Sequence, residues 1–210
     1  MIYVFGAGGN MGQRYCRILE FLGQEYTPLE IDGPFNPEEI EYKKDDKVII
    51  ATPTDSHYYL CKNIRAENQD VSILCEKPLS KIPNRARAMA YAWDVKMVCN
   101  YKYMGGNKNG TSNKTSYNYY KSGCDGIYWD CIQLIYLDNG SPQKLKFNNH
   151  SPFWNAELNG VSLRPESVDE SYVEMIELFL DGNLIQKNEK LIEAHEWAQR
   201  ETEKARLWKA

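Results

Sequence analysis

Met1-Ile2-Tyr3-Val4-Phe5-Gly6-Ala7-Gly8-Gly9-Asn10-Met11-Gly12 is an apolar run that breaks into glycines. Such a run reads as a buried strand that hands the backbone to a helix through a turn open enough for a phosphate. Gly6 would supply the tight turn and Gly8 the close approach of a pyrophosphate. A helix starting near Asn10 would offer the amides of Asn10 and Met11 to its charge. The spacing departs from the usual glycine fingerprint, whose third glycine falls here on Met11, with Gly12 one residue later. Glycines also close strands for structural reasons alone, so both readings stand at this point.

Outward from that turn, Gln13 to Leu22 sets Tyr15, Ile18, Leu19 and Leu22 on one helical face. Glu25 to Ile31 reads as a second strand, placed near an edge by Pro28. It runs into Glu30-Ile31-Asp32, with Glu30 24 residues after Gly6. A carboxylate at that distance would accept the hydroxyls of an adenosine ribose and repel an added phosphate, which favours NAD over NADP. The alternative is a pair of carboxylates leading into a Gly33-Pro34 turn. Further strands are expected at Asp46–Ala51, Val71–Cys75 and Val95–Asn100, with helices from Ser56 to Asn68 and from Pro83 to Trp93. Strands alternating with short helical crossovers predict an α/β fold, a Rossmann-like doubly wound parallel sheet. In such a sheet Gly6, Asp32, Thr52 and Lys77, all at strand ends, share one crevice.

At 210 residues the chain can bury a substantial core, and its formal charge of -4 gives no broad basic field for nucleic acid. No apolar run approaches the ~20 residues of a membrane span. Cysteines at 16, 61, 75, 99, 124 and 131 sit mostly in apolar segments without paired zinc-ligand spacing. They read as reduced core residues of a cytoplasmic protein. Neither His150 nor His195 stands in a metal-ligand cluster, so no metal is expected.

The glycine turn, Ala51-Thr52-Pro53-Thr54-Asp55-Ser56-His57 and Glu76-Lys77-Pro78 together resemble the Gfo/Idh/MocA family of oxidoreductases. The Glu-Lys-Pro tripeptide is the most specific of these signs. The resemblance implies a nicotinamide cofactor across the crevice, with Thr52, Pro53 and His57 on its side and Glu76 and Lys77 at the next strand end. Lys77 would reach the nicotinamide and a substrate hydroxyl, where an ammonium stabilises charge developing on oxygen. A solvent-facing lysine ahead of a helix-starting proline is the plain alternative.

The second half resembles the family in reduced form. Gly123 to Leu137 matches a family segment that carries a catalytic histidine, but Trp129 stands at that position and Ile127 at a glycine position. Asp125 falls on the family aspartate, where it would orient or charge-balance Lys77. Indole cannot exchange a proton as imidazole does, so Lys77, Tyr128 or Asp130 would handle it. Trp129 would stack on a substrate or anchor the core. Between Leu137 and Asp169 there is room for only two or three strands, at 144–148, 153–158 and 161–163, which implies a shortened C-terminal sheet. Helices are expected at 169–180 and 189–208. Residues 105–116 are rich in Gly, Asn and Ser and predict a surface loop. Lys102, beside it, is a candidate for a substrate phosphate or carboxylate, or is ordinary solubilising charge.

The predicted organisation is a dinucleotide-binding domain at 1–103, a connection at 104–116 and a reduced α+β substrate domain at 117–210. The expected function is an NAD(P)-dependent dehydrogenase or reductase acting on a small sugar, polyol or related carbonyl compound, as a monomer or homodimer. A catalytically inactive dinucleotide-binding sensor or partner protein is the alternative.

Overall fold

The computed structural model describes residues 1–30, 40–100, 116–120, 127–130, 132–137, 144–148, 155–158, 161–162 and 168–207. Expectations for Asp32, the Gly33-Pro34 turn, Lys102, the 105–116 loop, Asp125, Cys124, Cys131 and His150 lie outside the described residues. The chain runs β1 (Ile2–Phe5), α1 (Asn10–Phe21), β2 (Tyr26–Leu29), β3 (Lys47–Ile50), α2 (Thr54–Glu67), β4 (Ser72–Cys75) and α3 (Pro83–Arg87). After α3 comes a π-helical turn, Ala88–Ala92, then β5 (Lys96–Met97) and β6 (Ser116–Tyr120). Next are α4 (Ile127–Asp130), α5 (Ile132–Leu137), β7 (Lys144–Asn148), β8 (Asn155–Leu158), β9 (Val161–Ser162), α6 (Val168–Leu180) and α7 (Asn188–Leu207).

The first sheet has the order β2-β1-β3-β4-β5 and every pairing is parallel. Pro28 lies on the edge strand, where its missing N–H costs no ladder bond. Alternation along the strands divides the core. Ile2, Val4, Ile49 and Leu74 face α1 and α6, while Phe5, Val48, Ile50, Ile73 and Cys75 face α2, α3 and α7. Helices therefore cover both faces, and the apolar strands satisfy both layers. The four described cysteines, Cys16, Cys61, Cys75 and Cys99, are free, and all but Cys16 are buried.

The last two helices help to close this core. Tyr172, Met175, Ile176 and Phe179 of α6 join one layer, and Leu191, Ile192, Ala194 and Ala198 of α7 join the other. Helices that follow the second sheet in sequence thus pack against the first. The second sheet has the order β7-β6-β8-β9, with β6 parallel to β7 and antiparallel to β8. Its strand β6 adds to the three segments expected between 144 and 163, and β8 and β9 fall within two of those spans.

The helix expected from Pro83 to Trp93 changes pitch halfway. The Trp93 amide reaches Ala88 O at 3.2 Å, five residues back, which widens the last turn. The wider turn presents Trp93 O to the buried guanidinium of Arg65, whose Nε and Nη2 donate to it at 2.9 and 2.6 Å. Arg65 Nη1 also donates to Gln69 O and Val71 O. One charged group thus ties the end of α2, the start of β4 and the π-helical turn together, and its burial lowers its pKa from the ordinary arginine value. Replacing Arg65 with Met is expected to cost about 3 kcal/mol, because the carbonyls stay buried without their donor. Urea unfolding should show a lower midpoint at an unchanged slope, and an unchanged midpoint would contradict this role.

Candidate functional site

The five parallel strands end in one row. Phe5 pairs in register with Leu29 and Ile50, Ile50 with Cys75, and Cys75 with Met97. The ladder continues one step further, with Gly6 N to Leu29 O at 2.8 Å, Ala51 N to Phe5 O at 2.9 Å and Glu76 N to Ile50 O at 2.9 Å. Gly6, Glu30, Thr52 and Lys77, up to 71 residues apart, therefore leave the sheet along the same edge. With α1 on one face and α2 on the other, the β1/β3 boundary is the switch point at which such sheets open a crevice.

Gly6 has φ +76, and a Cβ there would lie 3.0 Å from the backbone of Ala51, so the turn needs glycine. The third glycine of the motif is Gly12 and not position 11. A Cβ on Gly12 would lie 1.9 Å from Gly6 O and 2.6 Å from Ala7 Cα, so the helix can approach the turn only with glycine there. Met11 lies one step earlier, half-buried, with its Sδ accepting from Arg14 Nη1 at 3.4 Å. One extra residue is thus absorbed in the turn while the close helix–strand approach is kept.

Gly9 precedes α1 and brings no side chain to cap it. The first-turn amides of Asn10, Met11 and Gly12 lack the acceptor four residues back that later turns have, so the helix N-terminus is suited to an anion. Beside it the Glu30 carboxylate accepts the Gly8 amide. The acidic end of β2 and the glycine turn are therefore in direct contact, as ribose and pyrophosphate recognition by one dinucleotide requires.

Two strands away, the Glu76-Lys77-Pro78-Leu79-Ser80 segment is held from several sides. The Tyr15 hydroxyl of α1 donates to Glu76 Oε1, and the Lys77 amide donates to Glu76 Oε2 at 3.1 Å. Burial and the Glu76 carboxylate push the Tyr15 phenol well above its ordinary pKa, so it remains a donor. Glu76, expected at the cofactor, is buried as a strut beneath the loop. Lys77 is the one residue from Ile73 to Ser80 that is partly exposed.

His57, also expected beside a cofactor, is 1% exposed. Its Nδ1 lies 3.0 Å from Pro78 O and its Nε2 2.8 Å from Thr52 O. Burial lowers its pKa against the two carbonyls and the Glu76 carboxylate, which raise it. A neutral ring donates to one carbonyl at a time, and its place is between two strand ends, inside the wall of the crevice. Thr52 is buried, its hydroxyl 2.7 Å from Ser56 Oγ, and Pro53 caps α2.

Trp129 is 7% exposed and packs edge-on to His195, with ring centroids 6.3 Å apart. Its ring belongs to the core layer that α7 joins. Tyr128 sets its ring against Trp197 of α7, at 5.8 Å between centroids. Asp130 closes α4, and its side chain is outside the described residues. Of the three proton-handling candidates, the structure sets Lys77 alone among described side chains at the strand-end row.

Three residues matter here that sequence reasoning passed over. Gly12 was signalled by its glycine, one place late. Tyr15 was assigned only to an apolar face, although a buried hydroxyl needs a partner. His195 enters the sequence reading only as a residue outside any metal-ligand cluster. Its Nε2 accepts the Leu79 amide at 3.1 Å and its Nδ1 donates to Leu191 O at 2.7 Å.

A cavity of about 610 Å³ lies elsewhere, between α1 and α6, near Arg17, the 79%-exposed Phe21, Val173 and Glu177. Arg14 closes one end, its Nε 3.0 Å from Asp169 Oδ1 but off the hydrogen-bonding axis, and its guanidinium stacks on Tyr172. Volume alone assigns no chemistry, and this groove is on the outer face of α1, away from the strand ends. Among the described residues no group of three His, Cys, Asp or Glu converges on a metal position, and no helix is long and apolar enough to cross a membrane.

No family model and no curated protein matches the chain. Solved structures do. A myo-inositol dehydrogenase from Corynebacterium glutamicum aligns over 96% of this chain and 95% of its own at 14% identity and a TM-score of 0.68. The UDP-N-acetylglucosamine 3-dehydrogenase GnnA from Acidithiobacillus ferrooxidans aligns over 95% of each chain at 11% identity and a TM-score of 0.70. The WlbA (WbpB) dehydrogenase from Thermus thermophilus, in complex with NAD and UDP-GlcNAcA, aligns over 96% and 94% at 13% identity and a TM-score of 0.65. At these identities the likeness establishes a shared fold.

His195 makes acid sensitivity measurable. Burial lowers its pKa from 6.5 to about 4, so below pH ~6.5 the unfolded chain takes up a proton that the native protein refuses. Its contribution to stability is complete above that pH and is lost as pH falls towards 4, by about 3 kcal/mol in all. Denaturant midpoints measured from pH 7 to pH 4 should show this slope in the wild type and a shallower one in His195→Gln. Equal slopes would contradict the assignment.

Proposed function

We propose that the chain is an NAD(P)-dependent oxidoreductase of the Gfo/Idh/MocA type, compact and with a reduced second sheet. It would pass hydride between nicotinamide and a small sugar, polyol or related carbonyl compound. The observation that carries this reading is the uncapped N-terminus of α1 beside Gly8 and Glu30, on the same strand-end row as Lys77. The residues fit the cofactor: a Cβ at Gly6 or Gly12 would fill the turn, and the free amides of the first helical turn suit a pyrophosphate. The structures described above that share this fold are named as dehydrogenases, one of them in complex with NAD, and point the same way.

Asn10, Met11 and Gly12 would hold the pyrophosphate by their amides. Glu30 would turn from the Gly8 amide to the ribose hydroxyls and disfavour a ribose phosphate, which makes NAD the preferred form. When bound, the nicotinamide supplies the hydride acceptor or donor. Lys77 Nζ would take or return the hydroxyl proton and stabilise charge on the substrate oxygen. Thr52 and Pro53 would line the wall, with His57 behind them. Asp125, Asp32 and Lys102 keep their proposed roles as partner of Lys77, second ribose carboxylate and substrate anchor.

One observation favours a second reading. Trp129, at the position of the family histidine, is buried against His195, so a dinucleotide-binding sensor without turnover would have the same core. Calorimetry with NAD, NADH, NADP and NADPH addresses the binding half. Micromolar affinity for NAD or NADH is expected, weaker for the phosphorylated pair, and lost in Gly8→Asp, whose carboxylate would crowd Glu30 at the turn. No binding by any of the four would overturn the proposal. Turnover on a panel of polyols and nucleotide sugars separates the two readings. Lys77→Ala should lower kcat by about 100-fold or more while leaving the cofactor Kd within about threefold. Binding without any turnover would select the sensor.

A further inference from the structure

The loop that carries Lys77 is tied from several sides. Glu76 is fixed by Tyr15, Pro78 O faces His57 Nδ1 at 3.0 Å, and the Leu79 amide donates to His195 Nε2 at 3.1 Å. These contacts come from α1, α2 and α7, three helices on two faces of the sheet. Both histidines are buried, at 1% and 0% exposure, and neither stands where it meets solvent or a ligand.

The chemistry of each ring suits a grip on the peptide. The Leu79 amide only donates, so His195 Nε2 bears the lone pair and Nδ1 the proton. Nδ1 then donates to Leu191 O at 2.7 Å, and one neutral tautomer satisfies both contacts. Pro78 O and Thr52 O only accept, so a neutral His57 donates to one of them at a time, from its place between the ends of β3 and β4. The carbonyl and the amide of the one Pro78–Leu79 peptide group thus face imidazoles from opposite sides.

We propose that His195 and His57 are positioning residues for Lys77: imidazoles from α7 and α2 grip the Leu79 amide and the Pro78 carbonyl and fix the direction in which the lysine leaves the sheet. The C-terminal helix is on this account a working part of the site, tied to it through a single ring nitrogen. The role rests on the proposed function of Lys77. The grip itself does not.

Two measurements on the full chain test it. In the wild type, a through-hydrogen-bond ¹⁵N–¹⁵N coupling between the Leu79 amide and His195 Nε2 is expected, and its absence overturns the proposal without any variant. Trace labelling with acetic anhydride then compares Lys77 with Lys81, four residues further along. The Lys77/Lys81 rate ratio should change by about threefold or more in His195→Leu and return towards wild type in His195→Gln, whose amide oxygen can accept the same N–H. Leu79 amide exchange should quicken by about tenfold in His195→Leu. A helix merely destabilised by either substitution would show no such rescue. An unchanged ratio in folded His195→Leu, or the same change in both variants, overturns the proposal. Failure of NAD to bind would leave these readings intact and remove only the dehydrogenase role of Lys77.

Discussion

The parallel register that ends Leu29, Phe5, Ile50, Cys75 and Met97 in one row is the constraint on which the rest of the structure depends. Parallel pairing requires each strand to start again from the far end, so each return must cross a face of the sheet. The crossovers bury both faces and leave one edge where the chain leaves the strands. Anything polar that the protein holds in common space gathers there. Gly6, Glu30, Thr52 and Lys77 meet at that edge because their strands are in register.

Polar groups behind the edge make it rigid. Glu76 and His57 are both buried, and each finds partners from a different element. A buried polar group stripped of its partner costs more than a lost contact between apolar side chains of like size, so these links specify one arrangement of the loops. The apolar layers hold the helices against the sheet, while the polar links decide how the strand ends are presented. His195 extends the second function to the last helix, more than a hundred residues from the loop that it holds.

Much of this was legible in the amino-acid order. Val48-Ile49-Ile50 and Ile73-Leu74-Cys75 are apolar on both faces, as a covered parallel strand must be, and Pro28 marked the edge. The convergence of distant strand ends followed from topology alone. Local spacing was less reliable where tertiary packing decides. Gly12 takes the third-glycine role because helix and turn approach most closely there, one residue past the usual interval. Nothing in Ala88–Ala92 signalled the wider π-helical turn, whose last carbonyl, Trp93 O, meets an arginine more than twenty residues away. Trp129 and His195 were each read singly, and their meaning came from contact with each other. The strand Ser116–Tyr120 was obscured by the Gly- and Asn-rich stretch before it.

The account stands on the claim that the strand-end row, and not the groove between α1 and α6, receives a dinucleotide. Amide chemical shifts recorded while NADH is titrated into ¹⁵N-labelled protein test it most directly. The account predicts shifts at Gly8, Asn10, Met11, Gly12 and Lys77, with Arg17, Val173 and Glu177 unmoved. Shifts confined to the α1–α6 groove, or none at the glycine turn, would contradict it.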